Sequence, residues 1–139
     1  MSGPVNETER AREIVVSFYD GGARGEITSF KDSLAEDFEL FVPDYLPWGG
    51  HFGKQEYVAL LPRVAAVLDF TRLTYESLTA EDGHVVALIN IGVQGTDQSI
   101  IISEHWDIAD GKAVRLRVAY FDPKVLLDQM DKDAIAQPS

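Results

Sequence analysis

Apolar residues recur every three to four positions early in the chain, at Ala11, Ile14, Val15 and Phe18. That period places them on one face of an α-helix. Asn6 followed by Glu9 resembles a capping box, and Gly21-Gly22 interrupts the pattern, which predicts a helix over 7–20. Ile27, Phe30 and Leu34 repeat the spacing and predict a second, shorter helix over 26–35. Phe38-Glu39-Leu40-Phe41-Val42 suits a strand, which Pro43 ends because proline cannot donate to a ladder. A glycine-rich loop follows. From Tyr57 through Val58, Leu60, Leu61, Val64, Val67 and Leu68 the helical period returns, predicting a helix over 54–68 that Pro62 should kink or split.

Beyond residue 68 the pattern becomes that of antiparallel sheet. Strand-like runs at 70–79, 84–94, 98–108 and 112–122 are separated by the turn signals AEDG, GTD and ADG. Asp122 then serves as an N-cap with Pro123 at the first helical position, opening a closing helix over 123–130 and leaving 131–139 as a frayed tail. No repeat or linker divides the chain, so residues 1–139 read as one domain.

Hairpin turns fix which strand residues share a face. A three-residue turn at Ala109-Asp110-Gly111 pairs Ile108 with Lys112, Trp106 with Val114, Glu104 with Leu116 and Ile102 with Val118. The same count around Gly95-Thr96-Asp97 sets Val86 against Trp106, Leu88 against Glu104 and Asn90 against Ile102. One face then carries Asn90 and Glu104 among Val86, Leu88, Ile102, Trp106, Val114, Leu116, Val118 and Tyr120. The other mixes Ile89, Ile91, Val93 and Ile101 with His105, Asp107, Arg115 and Arg117, and is expected to form a self-complementary homodimer contact.

Composition narrows the function. A chain of 139 residues can bury one real core. Its formal net charge of -11 argues against nucleic acid and anionic membrane as partners. With no cysteine, thiol nucleophiles, disulfides and thiolate metal sites drop out. The acidic, polar start MSGPVNETERARE lacks the basic flank and apolar stretch of a signal peptide, which points to a cytoplasmic protein. Histidines at 51, 84 and 105 share no metal-ligand spacing, and GGARGE follows a helix rather than a strand, so neither a metal nor a nucleotide cofactor is expected.

The element order, with Pro47-Trp48-Gly49-Gly50-His51-Phe52-Gly53-Lys54-Gln55-Glu56 leading into a helix and Glu104-His105-Trp106-Asp107-Ile108-Ala109-Asp110-Gly111-Lys112 ahead of Tyr120-Phe121-Asp122, resembles the SnoaL-like group within the nuclear-transport-factor-2-like (NTF2-like) superfamily. This group includes small polyketide cyclases and ketosteroid isomerases. The resemblance covers nearly the whole chain and implies an α+β, cystatin-like cone in which three N-terminal helices pack on a curved antiparallel sheet around a pocket, commonly with dimerisation through the outer sheet face. Carried over by position, the isomerase base would fall near Val42 and its tyrosine near Phe18, both apolar. Only the acidic hydrogen-bond donor has an equivalent, Glu104, with Tyr120 at the place of a pocket aromatic. The arginine of a limonene-epoxide-hydrolase-like site would fall at Ile102.

An inward carboxylate in an apolar cavity has a raised pKa and serves as acid, base or hydrogen-bond donor, so Glu104 is the leading catalytic candidate. The alternative is a structural glutamate tied to a backbone N–H or an arginine. His51, on the glycine loop at the expected pocket mouth, is the second proton-transfer candidate. Trp48, Trp106, Tyr120, Tyr19, Tyr57, Phe52 and Asn90 are the candidate ligand-binding residues. These residues together predict a cofactor-free pocket for a small hydrophobic, cyclic or carbonyl-bearing metabolite, with proton-transfer isomerisation, cyclisation or dehydration as the candidate chemistry. A noncatalytic binding or interaction homodimer is the rival.

Overall fold

A computed structural model describes residues 4–26 and 31–136. Its elements are α1 (Pro4–Ala23), a 3-10 turn (Lys31–Ser33), β1 (Leu34–Val42), β2 (Gly50–Gly53), α2 (Lys54–Ala65), β3 (Leu68–Glu81), β4 (His84–Val93), β5 (Ser99–Ala109), β6 (Lys112–Tyr120) and α3 (Lys124–Ala136). The strands form one six-stranded sheet in the order β2-β1-β6-β5-β4-β3, antiparallel except where β1 runs parallel to β6. Helices α1 and α2 pack on its inner face over Phe38, Leu40, Ile102, Trp106 and Leu116, all buried. Register shifts in β3 against β4 and in β5 against β6 bend the sheet around them.

The α+β architecture is therefore as expected, but the helices are differently distributed, one N-terminal, one between β2 and β3 and one C-terminal. The sheet is mixed. Of the helix expected over 26–35, Ile27 and Phe30 lie outside the described residues, while Leu34 begins a strand. Leu34, Phe38, Leu40 and Val42 are buried at even spacings, so the two-residue period of a strand wins over the helical one.

Helix α1 starts before Asn6 and runs through Gly21-Gly22 instead of stopping there. It ends in a Schellman motif. Gly25, at φ +78°, donates its N–H to Gly22 O at 3.1 Å, and Glu26 N–H reaches Gly21 O at 2.7 Å. Gly22 has another role, close packing, because a Cβ there would lie 2.7 Å from Phe70 Cδ2. At the other end of the chain Asp122 Oδ1 accepts the Lys124 N–H at 3.2 Å, the expected cap. Helix α3 continues to Ala136, beyond the expected fraying point at 130. No helix among the described residues is long and apolar enough to cross a membrane.

Two register details decide which side chains face inward. At the β5–β6 hairpin the turn has two residues, Asp110 (φ 54°) and Gly111 (φ 77°), and a bulge opposite Asp107/Ile108 restores an even count. Glu104 pairs with Val118 and Trp106 with Leu116, displaced from expectation by two, so the same side chains still share the inner face. At the β4–β5 connection Val93 N–H meets Gln98 O at 3.0 Å, closing a four-residue loop where a three-residue one was expected. That single residue reverses β4: Val85, Ala87, Ile89 and Ile91 face inward, and Asn90 pairs with Ile101 on the outer face. The expected outer apolar set of Ile89, Ile91 and Val93 is buried in the core.

Candidate functional site

The inner face of the sheet and helices α1 and α2 enclose a cavity of about 70 Å³. Sixteen of the described residues line it, seven of them aromatic, and Glu104 is the one ionisable carboxyl among these. Glu104 projects from β5. Residues Ala11, Val15 and Tyr19, spaced by four on α1, bury one stripe of the helix and bring the Tyr19 hydroxyl onto the carboxylate. Tyr19 donates its hydroxyl hydrogen to Glu104 Oε1 at 2.5 Å, and Trp106 Nε1–H donates to the Tyr19 oxygen at 3.0 Å. The Trp106 and Tyr19 rings meet edge-on, with Phe18 against Trp106 at 4.8 Å.

This relay, indole to phenol to carboxylate, engages one oxygen of Glu104. Among the described residues no hydrogen bond reaches Oε2, and that atom is not sealed in, so it is presented to the cavity. Burial raises the Glu104 pKa to about 7, and the Tyr19 hydrogen bond offsets part of the rise. Tyr19, Tyr57 and Tyr120 are all shifted upward, chiefly by burial and then by the charge of Glu104. The cavity thus holds one group that changes protonation near neutral pH, surrounded by phenols that keep their protons.

Trp48 reaches the cavity from the loop between β1 and β2. That loop folds tightly, with Leu46 N–H on Pro43 O at 3.2 Å and Gly49 N–H on Leu46 O at 2.9 Å. A Cβ on Gly49 would lie 2.2 Å from Pro43 O, so only glycine fits behind the tryptophan. Trp48 is buried, and the Arg63 guanidinium lies 5.9 Å from its ring centre.

Of the residues expected at the site, Glu104, Trp48, Trp106, Tyr120, Tyr19 and Tyr57 line the cavity together. Phe52, His51 and Asn90 do not. Phe52 faces inward opposite Leu40 but packs into the core beside the cavity. His51 lies in β2 rather than in a loop. Paired there with Phe41, it stacks on that ring at 4.4 Å and meets Glu39 Oε1 at 3.0 Å, on the outer side. Asn90 is turned away by the four-residue loop at 94–97. The expected outer pairing also changes: His105 lies opposite Arg117, with its Nε2 at 2.8 Å from Ser103 Oγ. The link from Tyr19 to Glu104 was not anticipated, although the spacing of Ala11, Val15 and Tyr19 carries it. Val64 follows the helical period of α2, whereas no local pattern marks Gly22 and Phe70 as lining residues.

Solved structures share this arrangement of sheet and helices. An NTF2-like protein from Cytophaga hutchinsonii matches with a TM-score of 0.67 at 20% identity, over 84% of this chain and 94% of that one. The chain has the NTF2-like fold. TerC, co-crystallised with polyporic acid, matches with a TM-score of 0.73 at 21% identity, over 88% of this chain and 98% of TerC. AclR from Streptomyces galilaeus gives 0.70 at 17% identity, over 90% and 98%. Identities this low establish the NTF2-like fold and leave activity to be argued from the site. No protein-family model and no curated protein matches the sequence.

Proposed function

We propose that the cavity binds a small, largely hydrophobic ligand and that Glu104 shuttles a proton on it, as in the isomerisation, cyclisation or dehydration of a carbonyl compound. The observation that supports this reading is the split environment of one carboxyl group, with Oε1 held by Tyr19 and Oε2 open to an aromatic cavity. A pKa near the working pH lets the same oxygen take a proton from one carbon and return it to another. Tyr19 is the positioning residue, since it fixes the carboxylate plane and is itself fixed by Trp106. Aromatic walls exclude water from the bound ligand and keep the carboxylate poorly solvated, which strengthens it as a base. With His51 on the outer side, the shuttle runs through Glu104 alone.

The reaction class can be tested without knowing the natural substrate. Exchange of the α-protons of acetone into deuterated water, followed by NMR, reads proton abstraction directly. The expected result is acceleration by the protein that rises through a pH of about 7 and vanishes in Glu104→Gln. Acetone that enters the cavity but exchanges no faster than in buffer would leave a noncatalytic binding protein. Self-association through the outer sheet face, where Arg115, Arg117, Asp107 and Glu39 alternate in sign, is proposed alongside this activity. Its check is sedimentation at micromolar concentration, where a monomer would refute it.

A further inference from the structure

The charges around the cavity restrict the ligand beyond its size. Among the described residues Glu104 is the only charged side chain in the lining, and no described lysine, arginine or histidine accompanies it. The Arg63 guanidinium lies 5.9 Å from the Trp48 ring centre and is not part of the lining. An anionic ligand would therefore meet a carboxylate with no counter-charge, in a site where low dielectric magnifies the repulsion. A cation meets the opposite situation. It finds an open carboxylate oxygen, and around it the rings of Phe18, Trp48, Tyr57, Phe70 and Tyr120, whose negative π-faces attract positive charge.

Volume sets the size of the group. An apolar cavity of roughly 150 Å³ accepts benzene, with its six heavy atoms. On the same scale the 70 Å³ here holds about three heavy atoms. A ring does not fit inside without displacing a wall, whereas an ammonium carrying one or two short alkyl groups does. We propose that the ligand of this cavity presents a small alkylammonium head to Glu104 Oε2, with the rest of the molecule extending outward. The inference rests on the reading of the cavity as the ligand site.

The groups that face Glu104 from the surrounding elements are Tyr19 on α1, Tyr57 on α2, Tyr75 on β3 and Tyr120 on β6. All are shifted upward and stay neutral from pH 5.5 to 8.5, which leaves Glu104 as the group among them that titrates in that range. Its ionised form binds the cation, which means that affinity should rise with pH.

Three probes of three heavy atoms each, ethylammonium, ethanol and formate, test the proposal when titrated into the intact protein with the Trp106 Nε1–H resonance as the readout. Ethylammonium is expected to bind at least ten-fold more tightly than ethanol at pH 8.5, and at least ten-fold more weakly at pH 5.5 than at 8.5. Formate should not bind at either pH. In Glu104→Gln the ethylammonium preference should disappear while ethanol binding persists, and the wild-type pH series stands as an independent test should that variant fold poorly. Ethanol or formate binding as well as ethylammonium, or ethylammonium affinity that ignores pH, overturns the proposal. Acetone entering where ethylammonium does not would overturn this inference alone and leave the proton-transfer reading standing. Entry by none of the probes would overturn both.

Discussion

Glu104→Gln should make the protein more stable, and the gain should depend on pH. In the folded chain the Glu104 pKa stands at about 7, against 4.5 for an unperturbed glutamate, because burial penalises the charged form. A carboxyl group whose pKa is raised by folding binds its proton more tightly in the folded state. Its favourable contribution is therefore complete below about pH 4.5 and is lost progressively as pH rises toward 7. The gap corresponds to roughly 3 kcal/mol at ~1.4 kcal/mol per pH unit. Glutamine removes the charge, fills nearly the same volume and keeps a carbonyl oxygen to accept the Tyr19 hydrogen bond. The variant is expected to match wild type near pH 4 and to exceed it by up to roughly 3 kcal/mol at pH 8.5, a rise in Tm of about 10 °C for a domain of this size. Urea unfolding followed by the fluorescence of buried Trp48 and Trp106, repeated from pH 4 to 8.5, measures the difference. Because every other group cancels between the two proteins, a stability difference that stays constant with pH would refute the burial argument. So would a less stable variant at pH 8.5.

Tyr19→Phe removes the hydroxyl that holds the Glu104 pKa down, so that pKa should move above 7, carrying the pH dependence of α-proton exchange with it. The same change leaves the Trp106 Nε1–H without its acceptor, at a cost of about 1–3 kcal/mol read by denaturant melts. In Gly22→Ala the new methyl meets the Phe70 ring at 2.7 Å, and the displaced ring should destabilise the fold by about 1–3 kcal/mol and weaken entry of small ligands measured by NMR. Asp122→Ala removes the cap of α3 and should cost about 1 kcal/mol in a thermal melt, with cavity binding unchanged. His51→Ala, on the outer side, should leave proton exchange at the wild-type rate, and a loss would show that the histidine reaches the ligand after all.

Burying one carboxylate under aromatic walls explains both halves of this behaviour. The desolvation that destabilises the folded protein at neutral pH is the same effect that brings the group's pKa to a value suited to proton exchange. Stability and the proposed proton transfer are opposed at one residue, and the Tyr19 hydrogen bond limits the cost without removing it. Tyr19 stabilises the charge from one side only, through Oε1. A second donor at Oε2 would have lowered the pKa and filled the space a ligand needs.

The local pattern by itself determined the α+β class, helices α1 and α2 to within a few residues, every strand from β3 to β6, the cap at Asp122 and the inward direction of Glu104, Trp106 and Tyr120. Each of these depends on periodicities of 3.6 or 2 or on neighbouring turn chemistry, which act over a handful of residues. The tertiary structure decided what depends on counts and approaches that no short window contains. One extra loop residue at 94–97 turned Asn90 outward and Ile89 inward. Pairing of β2 with β1 carried His51 to the far side of the sheet, although its glycine-rich sequence marked it as a pocket rim. Contact between α1 and β5, separated by 85 residues, gave Glu104 its Tyr19 partner. Local patterns assign a side chain to a face, but only the packing of distant elements sets which atoms meet there and how much room they leave.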